Sequence, residues 1–168
     1  LNVVVAHKGV ARWRIHTGGR AVHSSSPQLG DNAIYHMARV LQHLETYARD
    51  VAPTLCKHHL LQTPTLSVGI IAGGISVNTV PDACVIEVDR RVSPGEDPMT
   101  TRQHAIDYLP TKLDKSVPIS HEDPMITSRR LADDANEEIA AAVSRIAYGH
   151  GSPGAVIGVP YGRDAPAV

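Results

Sequence analysis

Three polar residues spaced along the chain could act on one ligand. They are His23 in "GGRAVHSSSPQLG", Asn78 in "GGISVNTVPD" and Arg91 in "EVDRR". An arginine offers a bidentate fork for a carboxylate, and an asparagine places an amide donor beside it. A histidine can donate to a carbonyl oxygen that is gaining negative charge. Together they would recognise an acyl amino acid without cutting it, because cutting needs an activated water and hence a metal or a general base. Plainer readings stand beside this one. Arg91 can pair with Glu87 or Asp89 on its own strand, and His23 can close a turn.

Other chemistries find less support. Ser24, Ser25 and Ser26 lack the strained G-x-S-x-G elbow of a serine nucleophile and read as turn residues. "GIIAGG" matches neither the G-x-G-x-x-G fingerprint nor the lysine-bearing phosphate loop. Glu137 and Glu138 are helix neighbours, so their side chains diverge by about 100°. His58 and His59 adjoin in a loop, His36, Arg39 and His43 ride the outer face of a helix, and no histidine pair has the i, i+4 spacing of a helical metal site. No metal ligand is therefore expected in this chain. Ten histidines raise the thought of a histidine-rich metal-binding protein, but their scatter speaks against it. Cys56 and Cys84 are too few for a disulfide framework and read as plain thiols.

Composition narrows the partners. Sixteen basic residues against 17 acidic ones leave a net charge of -1, which provides no cationic field for nucleic acid. With 42% hydrophobic and 20% charged residues the chain is of globular type. Its apolar runs stop well short of the roughly 20 residues of a membrane span. A soluble, cytoplasmic protein is expected, with no nucleic-acid and no membrane partner. "LNVVVAHKG" opens on an apolar run already under way, which reads as a piece of a longer chain.

The elements that must position these side chains follow from periodicity. Ala11, Trp13 and Ile15 alternate with Arg12, Arg14 and His16, the pattern of a half-buried strand. After "SSPQLG", Asp31 is placed to cap a helix carrying Ala33, Ile34, Met37, Ala38, Leu41, Leu44, Ala48 and Val51, stopped at Pro53. "TPTLSVGIIAGG" and "DACVIEVDRRV" read as two more strands. Asp97 followed by Pro98 opens a second helix that Pro110 ends. "SVPISHE" reads as a last short strand.

Strand, helix, strand, strand, helix, strand is the order of an α+β, split βαβ (ferredoxin-like) fold: a four-stranded antiparallel sheet with two helices on one face. It would occupy residues 8–122. Residues 124–168 then add a helix bearing Leu131, Ala135, Ile139, Val143 and Ile146 and a strand "GAVIGVP", which together read as a fragment of a neighbouring α/β domain.

"AHKGVARWRIHTGGRAVHSSSPQLGDNAI", "TLSVGIIAGGISVNTVPDACVIEVDRRVSPGED" and "GVPYGRDA" together resemble the zinc-dependent aminoacylase and carboxypeptidase family that includes acetylornithine deacetylase and succinyl-diaminopimelate desuccinylase. The resemblance implies a dimerisation and lid domain inserted into a metal-bearing catalytic domain whose ligands lie outside this chain. Zinc or another divalent metal would then serve the full-length parent enzyme, with no cofactor in this chain. It implies a homodimer formed through the lid, an N-acyl amino acid or small peptide as substrate, and no hydrolysis by the chain alone. His23 would polarise the scissile carbonyl in the partner subunit's site, and Asn78 and Arg91 would hold the substrate carboxylate. Arg90 competes with Arg91, which the D-x-R register favours. Gly162 in "YGRDA" resembles a substrate-facing loop, although Arg163 stands where the family often has Thr. The competing reading is a free-standing ligand-binding or assembly module of the same fold, since a fold alone assigns no function.

Overall fold

The computed structural model describes residues 1–162. In chain order these form β1 (Val3–His7), β2 (Gly9–Gly18), β3 (Val22–His23), α1 (Ala33–Thr46), α2 (Ala52–Leu55), β4 (Thr65–Gly73) and β5 (Thr79–Val80). There follow β6 (Ala83–Val92), α3 (Pro98–Tyr108), β7 (Ile119–His121), β8 (Ile126–Ser128), α4 (Glu137–Gly149) and β9 (Val156–Val159).

The alternating strands do what their period demands. β2 and β6 pair antiparallel along their whole length, from Gly9 opposite Val92 to Gly18 opposite Ala83. One face of this pair buries Ala11, Trp13, Ile15, Ile86 and Val88 beneath Met37, Val40 and Leu44 of α1, Ala105 of α3 and Leu109 just after it. Each of the larger apolar side chains contributes about 1.5–3 kcal/mol by leaving water. Both helices therefore cover one face of a sheet ordered β4-β6-β2-β7, antiparallel throughout, as expected of the α+β class. The other face carries an ionic lattice. Arg12 bonds Asp89 at 2.7 Å, Arg14 bonds Glu87 at 2.8 Å, and His16 lies 2.7 Å from Glu122.

Four expectations need correction. Asn32 caps α1, accepting the N–H groups of Ile34 and Tyr35, whereas Asp31 accepts a 2.7 Å hydrogen bond from His36. His36 accordingly turns inward and is buried, not on the outer helix face. Ile34 is exposed, and the buried stripe runs Ala33, Met37, Val40, Leu44 and Tyr47. Finally, Pro53 does not stop the helix. A widened, π-type turn at Tyr47–Val51 lets the chain continue into α2 with proline in its first turn, where its missing N–H is no loss.

The antiparallel sheet also runs past residue 122, because β8 pairs with Val10–Arg12 of β2. At the other end β1 pairs in parallel with β9, so the N-terminal strand belongs structurally with the tail. α4 begins at Glu137, leaving Leu131 and Ala135 outside it, and it buries Ala140 and Ala147 while Ile139 and Ile146 face outward.

His121, on β7, is a strongly perturbed histidine. Burial, followed by the nearby Arg102 charge, pushes its pKa from 6.5 down to about 4. The unfolded chain therefore binds a proton below pH 6.5 that the folded one refuses until about pH 4. Stability is expected to be full above this window and to fall through it as the pH drops, by up to roughly 3 kcal/mol. Urea unfolding of His121→Asn against the unaltered chain at pH 7 and pH 4.5 measures this: the variant should lose less stability on acidification.

Candidate substrate-binding site

His23 owes its place to two glycines. Arg20 and Asp31 exchange backbone hydrogen bonds of 2.8 and 3.0 Å across the turn. A Cβ at Gly19 would sit 2.3 Å from the Asp31 carbonyl oxygen, and one at Gly30 would sit 2.5 Å from Val22 Cγ2. Only glycine permits these approaches. The short β3 and β5 then pair His23 with Thr79 and Val22 with Val80, and the Ser24 N–H donates to the Asn78 carbonyl at 2.9 Å. His23 and Asn78 are thus held side by side, both exposed.

The imidazole is oriented as well as placed. Its Nδ1 accepts the Ser25 N–H at 3.2 Å and lies 2.8 Å from Ser25 Oγ. An accepting Nδ1 leaves Nε2 to carry the ring proton, which is the donor an oxyanion requires. Ser25, read from sequence as a turn residue, is therefore the group that sets this tautomer. The Asn78 side-chain oxygen accepts from Ser76 Oγ, so its NH₂ is the part available to a ligand.

Arg91 does not join them within one chain, contrary to the expectation that the three residues meet on one ligand. It lies eight residues beyond Ala83 on β6, while Asn78 precedes that strand. At about 3.4 Å per residue the intervening strand spans roughly 27 Å. Arg91 faces the open side of the sheet, where its Nε bonds Asp89 at 2.7 Å, so the plainer pairing does form. Gly162 is at the same end, its Cβ position 3.8 Å from the Lys8 carbonyl oxygen. Arg163 lies outside the described residues.

Arg90 points the opposite way. It is 0% exposed, with Nη2 2.8 Å from Glu96 Oε1, while Glu96 Oε2 accepts the Ser93 N–H at 2.8 Å. Its role is to clasp the turn after β6, which leaves Arg91 as the arginine open to a ligand. Lys8, also buried, donates to the Thr63 carbonyl at 2.6 Å, and burial ahead of the Arg90 charge lowers its pKa.

Beside His23 and Asn78 lies a groove of about 840 Å³ lined in part by Ile34, Tyr35, Ile75 and Val77. Ile75 is 88% and Val77 102% exposed. Among the described residues β4 pairs only with β6, so its outer edge offers unpaired backbone groups, flanked by exposed Ile70 and Ile71. Long apolar edges of this kind invite pairing with another chain. No helix among the described residues is long and apolar enough to cross a membrane.

An antiparallel sheet backed by two helices, with an apolar edge left unpaired among the described residues, is an architecture suited to pairing with another chain. Residues 5–117 match the peptidase dimerisation domain family, and the chain belongs to that family. It is 35% identical over 122 residues to a probable carboxypeptidase of Aspergillus flavus, covering 70% of this chain and 29% of that protein. It is also 35% identical over 105 residues to acetylornithine deacetylase of Myxococcus xanthus, covering 60% and 27%. The chain thus spans less than a third of these relatives. The structure of aminopeptidase PepT from Bacillus cereus shares the fold, with a TM-score of 0.72 at 19% identity over 98% of this chain and 42% of that one.

Proposed function

We propose that this chain is the dimerisation and substrate-binding lid of a cytoplasmic, metal-dependent amidohydrolase acting on N-acyl amino acids or small peptides. The observation that carries the reading is the strand-length separation of His23 and Asn78 from Arg91 and Gly162. Two half-sites so far apart serve one small substrate when a second subunit brings the complementary half across a two-fold axis. The β4 edge is the surface proposed to join the subunits. Residues 8–122 form the lid in this reading. Residues 124–168, with Val3–His7 paired to their β9 and with β8 reaching across to the lid's β2, belong to the catalytic domain in this reading, whose remaining parts would cover exposed Ile139 and Ile146.

Neither half-site holds a group of metal-ligating side chains among the described residues, and adjacent Glu137 and Glu138, exposed at the start of α4, diverge, so these residues do not fit the catalytic zinc centre of such an enzyme. No step of hydrolysis is assigned to this chain. Its residues bind and orient. His23 Nε2–H donates to the substrate's carbonyl oxygen, Asn78 donates through its amide, and the Arg91 fork takes the α-carboxylate, exchanging Asp89 for the ligand.

Arg91→Ala in the full-length protein tests the assignment on matched pairs of N-acyl amino acids and their α-amides. The expected result is loss of the preference for the free carboxylate, by about ten- to a hundredfold in kcat/KM for a charge-assisted pair worth about 1.5–3 kcal/mol. Equal preference before and after the substitution would remove Arg91 from the site.

A further inference from the structure

We propose that His58, His59 and Asp133 bind one divalent transition-metal ion of the borderline class, such as Zn²⁺ or Ni²⁺. The histidines lie between α2 and β4 and the aspartate lies before α4, 75 residues from His58. The fold brings them together. His58 Nε2 is 2.9 Å and His59 Nε2 3.1 Å from the two carboxylate oxygens of Asp133, and the imidazole rings stack with centroids 4.7 Å apart. One ligand atom from each residue falls within 4.8 Å of the other two. Tetrahedral coordination at zinc bond lengths places ligand atoms roughly 3.3–3.5 Å apart, so the two nitrogen–oxygen contacts, which use different oxygens, need open by a few tenths of an ångström, while the widest separation in the set must close by up to about 1.5 Å, within reach of a rotation of the exposed His59 ring. Two imidazoles and one carboxylate suit zinc, nickel or copper, whereas magnesium and calcium call for oxygen ligands.

The site is held from both sides. His58 accepts the Leu61 N–H through its carbonyl at 3.3 Å, Leu61 is buried, and Gln62 adopts a left-handed φ of 59° that closes this tight turn. Asp133 accepts the Asn136 N–H through its own carbonyl at 3.0 Å. Burial works against the charged form of Asp133, but the hydrogen bond from His58 and the two imidazoles outweigh it and hold its carboxyl below the usual range. His59, 71% exposed, faces the solvent. A groove of about 320 Å³, lined by His59, Asp133, Asn136 and Glu137 among others, leaves room for water or Glu137 at a fourth position. Ligation through Nε2 moves the His58 ring proton to Nδ1. The Leu60 N–H, which now makes a long 3.3 Å contact there, must turn away, a weak interaction to give up.

Titration calorimetry of the chelator-stripped chain with ZnCl₂ at neutral pH tests the site. The expected result is one equivalent bound, displaced by Ni²⁺ and not by Mg²⁺, with a rise in Tm on loading. Because His59 is exposed, His59→Ala retains the fold, and it and Asp133→Asn should each weaken binding at least tenfold, while exposed His150→Ala leaves it unchanged. Absence of binding, or binding that His59→Ala and Asp133→Asn do not weaken, would overturn the proposal.

Discussion

Replacing His23 with alanine in the full-length protein is expected to lower kcat by about 10²- to 10³-fold, the usual cost of deleting one oxyanion donor. Dimer mass and metal content should not change. The expectation rests on how completely the imidazole is prepared. Gly19 and Gly30 permit the close turn, β3 and β5 fix the backbone, and Ser25 holds Nδ1 so that Nε2 presents its proton outward. An exposed histidine with no such support would lose much of its strength as a donor to the ordering of its own side chain. Steady-state kinetics with an N-acyl amino acid is the measurement, and an unaltered kcat would sink the assignment.

The second large effect is structural. Glu96→Ala is expected to destabilise the chain by about 3–5 kcal/mol, because it strands the buried Arg90 guanidinium without its counter-charge. That is a large share of the roughly 5–15 kcal/mol typical of a domain. Arg91→Ala offers the contrast: its pair with Asp89 is half-exposed, so its loss should cost no more than about 1 kcal/mol. Denaturant unfolding of both variants separates the two arginines. If Glu96→Ala proves no more costly than Arg91→Ala, the clasp is not what orders the turn after β6. A double variant, Arg90→Met with Glu96→Leu, should recover much of the loss by replacing the pair with apolar groups of similar size.

Much of this architecture was legible in the sequence because one face of the sheet is buried. Alternation in β2 and β6 survives only where a one-residue slip would turn Trp13 and Ile86 out to solvent. The Asp97–Pro98 helix start was legible too, and Asp97 accepts the N–H groups of Met99 and Thr100. At α1 two capping residues stand in succession, and the choice fell to Asn32 because His36, one turn on, engages Asp31. That is a side-chain contact which propensity does not carry. Pro53 misled for a related reason, since a widened turn absorbs its missing N–H. β8 is only three residues long and shows no period.

The candidate site was legible in its residue types and not in its geometry. His23 and Asn78 are neighbours, but most of the length of β6 stands between them and Arg91, near its far end, and sequence order conceals that distance. His58 and His59 have no acidic neighbour close in sequence, and Asp133 reaches them from 75 residues on. Ser25, one of three serines in succession, had no sequence signal to distinguish it from its neighbours.

The proposed sharing of one site between subunits is best tested by mixed dimers of the full-length protein. His23→Ala subunits keep Arg91, and Arg91→Ala subunits keep His23, so each mixed dimer holds one site with both groups intact. Random re-pairing of equal amounts should restore roughly a quarter of wild-type activity toward an N-acyl amino acid, since half the dimers are mixed and each has one complete site. Activity that stays at the average of the two variants would mean that each subunit works alone, and would contradict a site built from both.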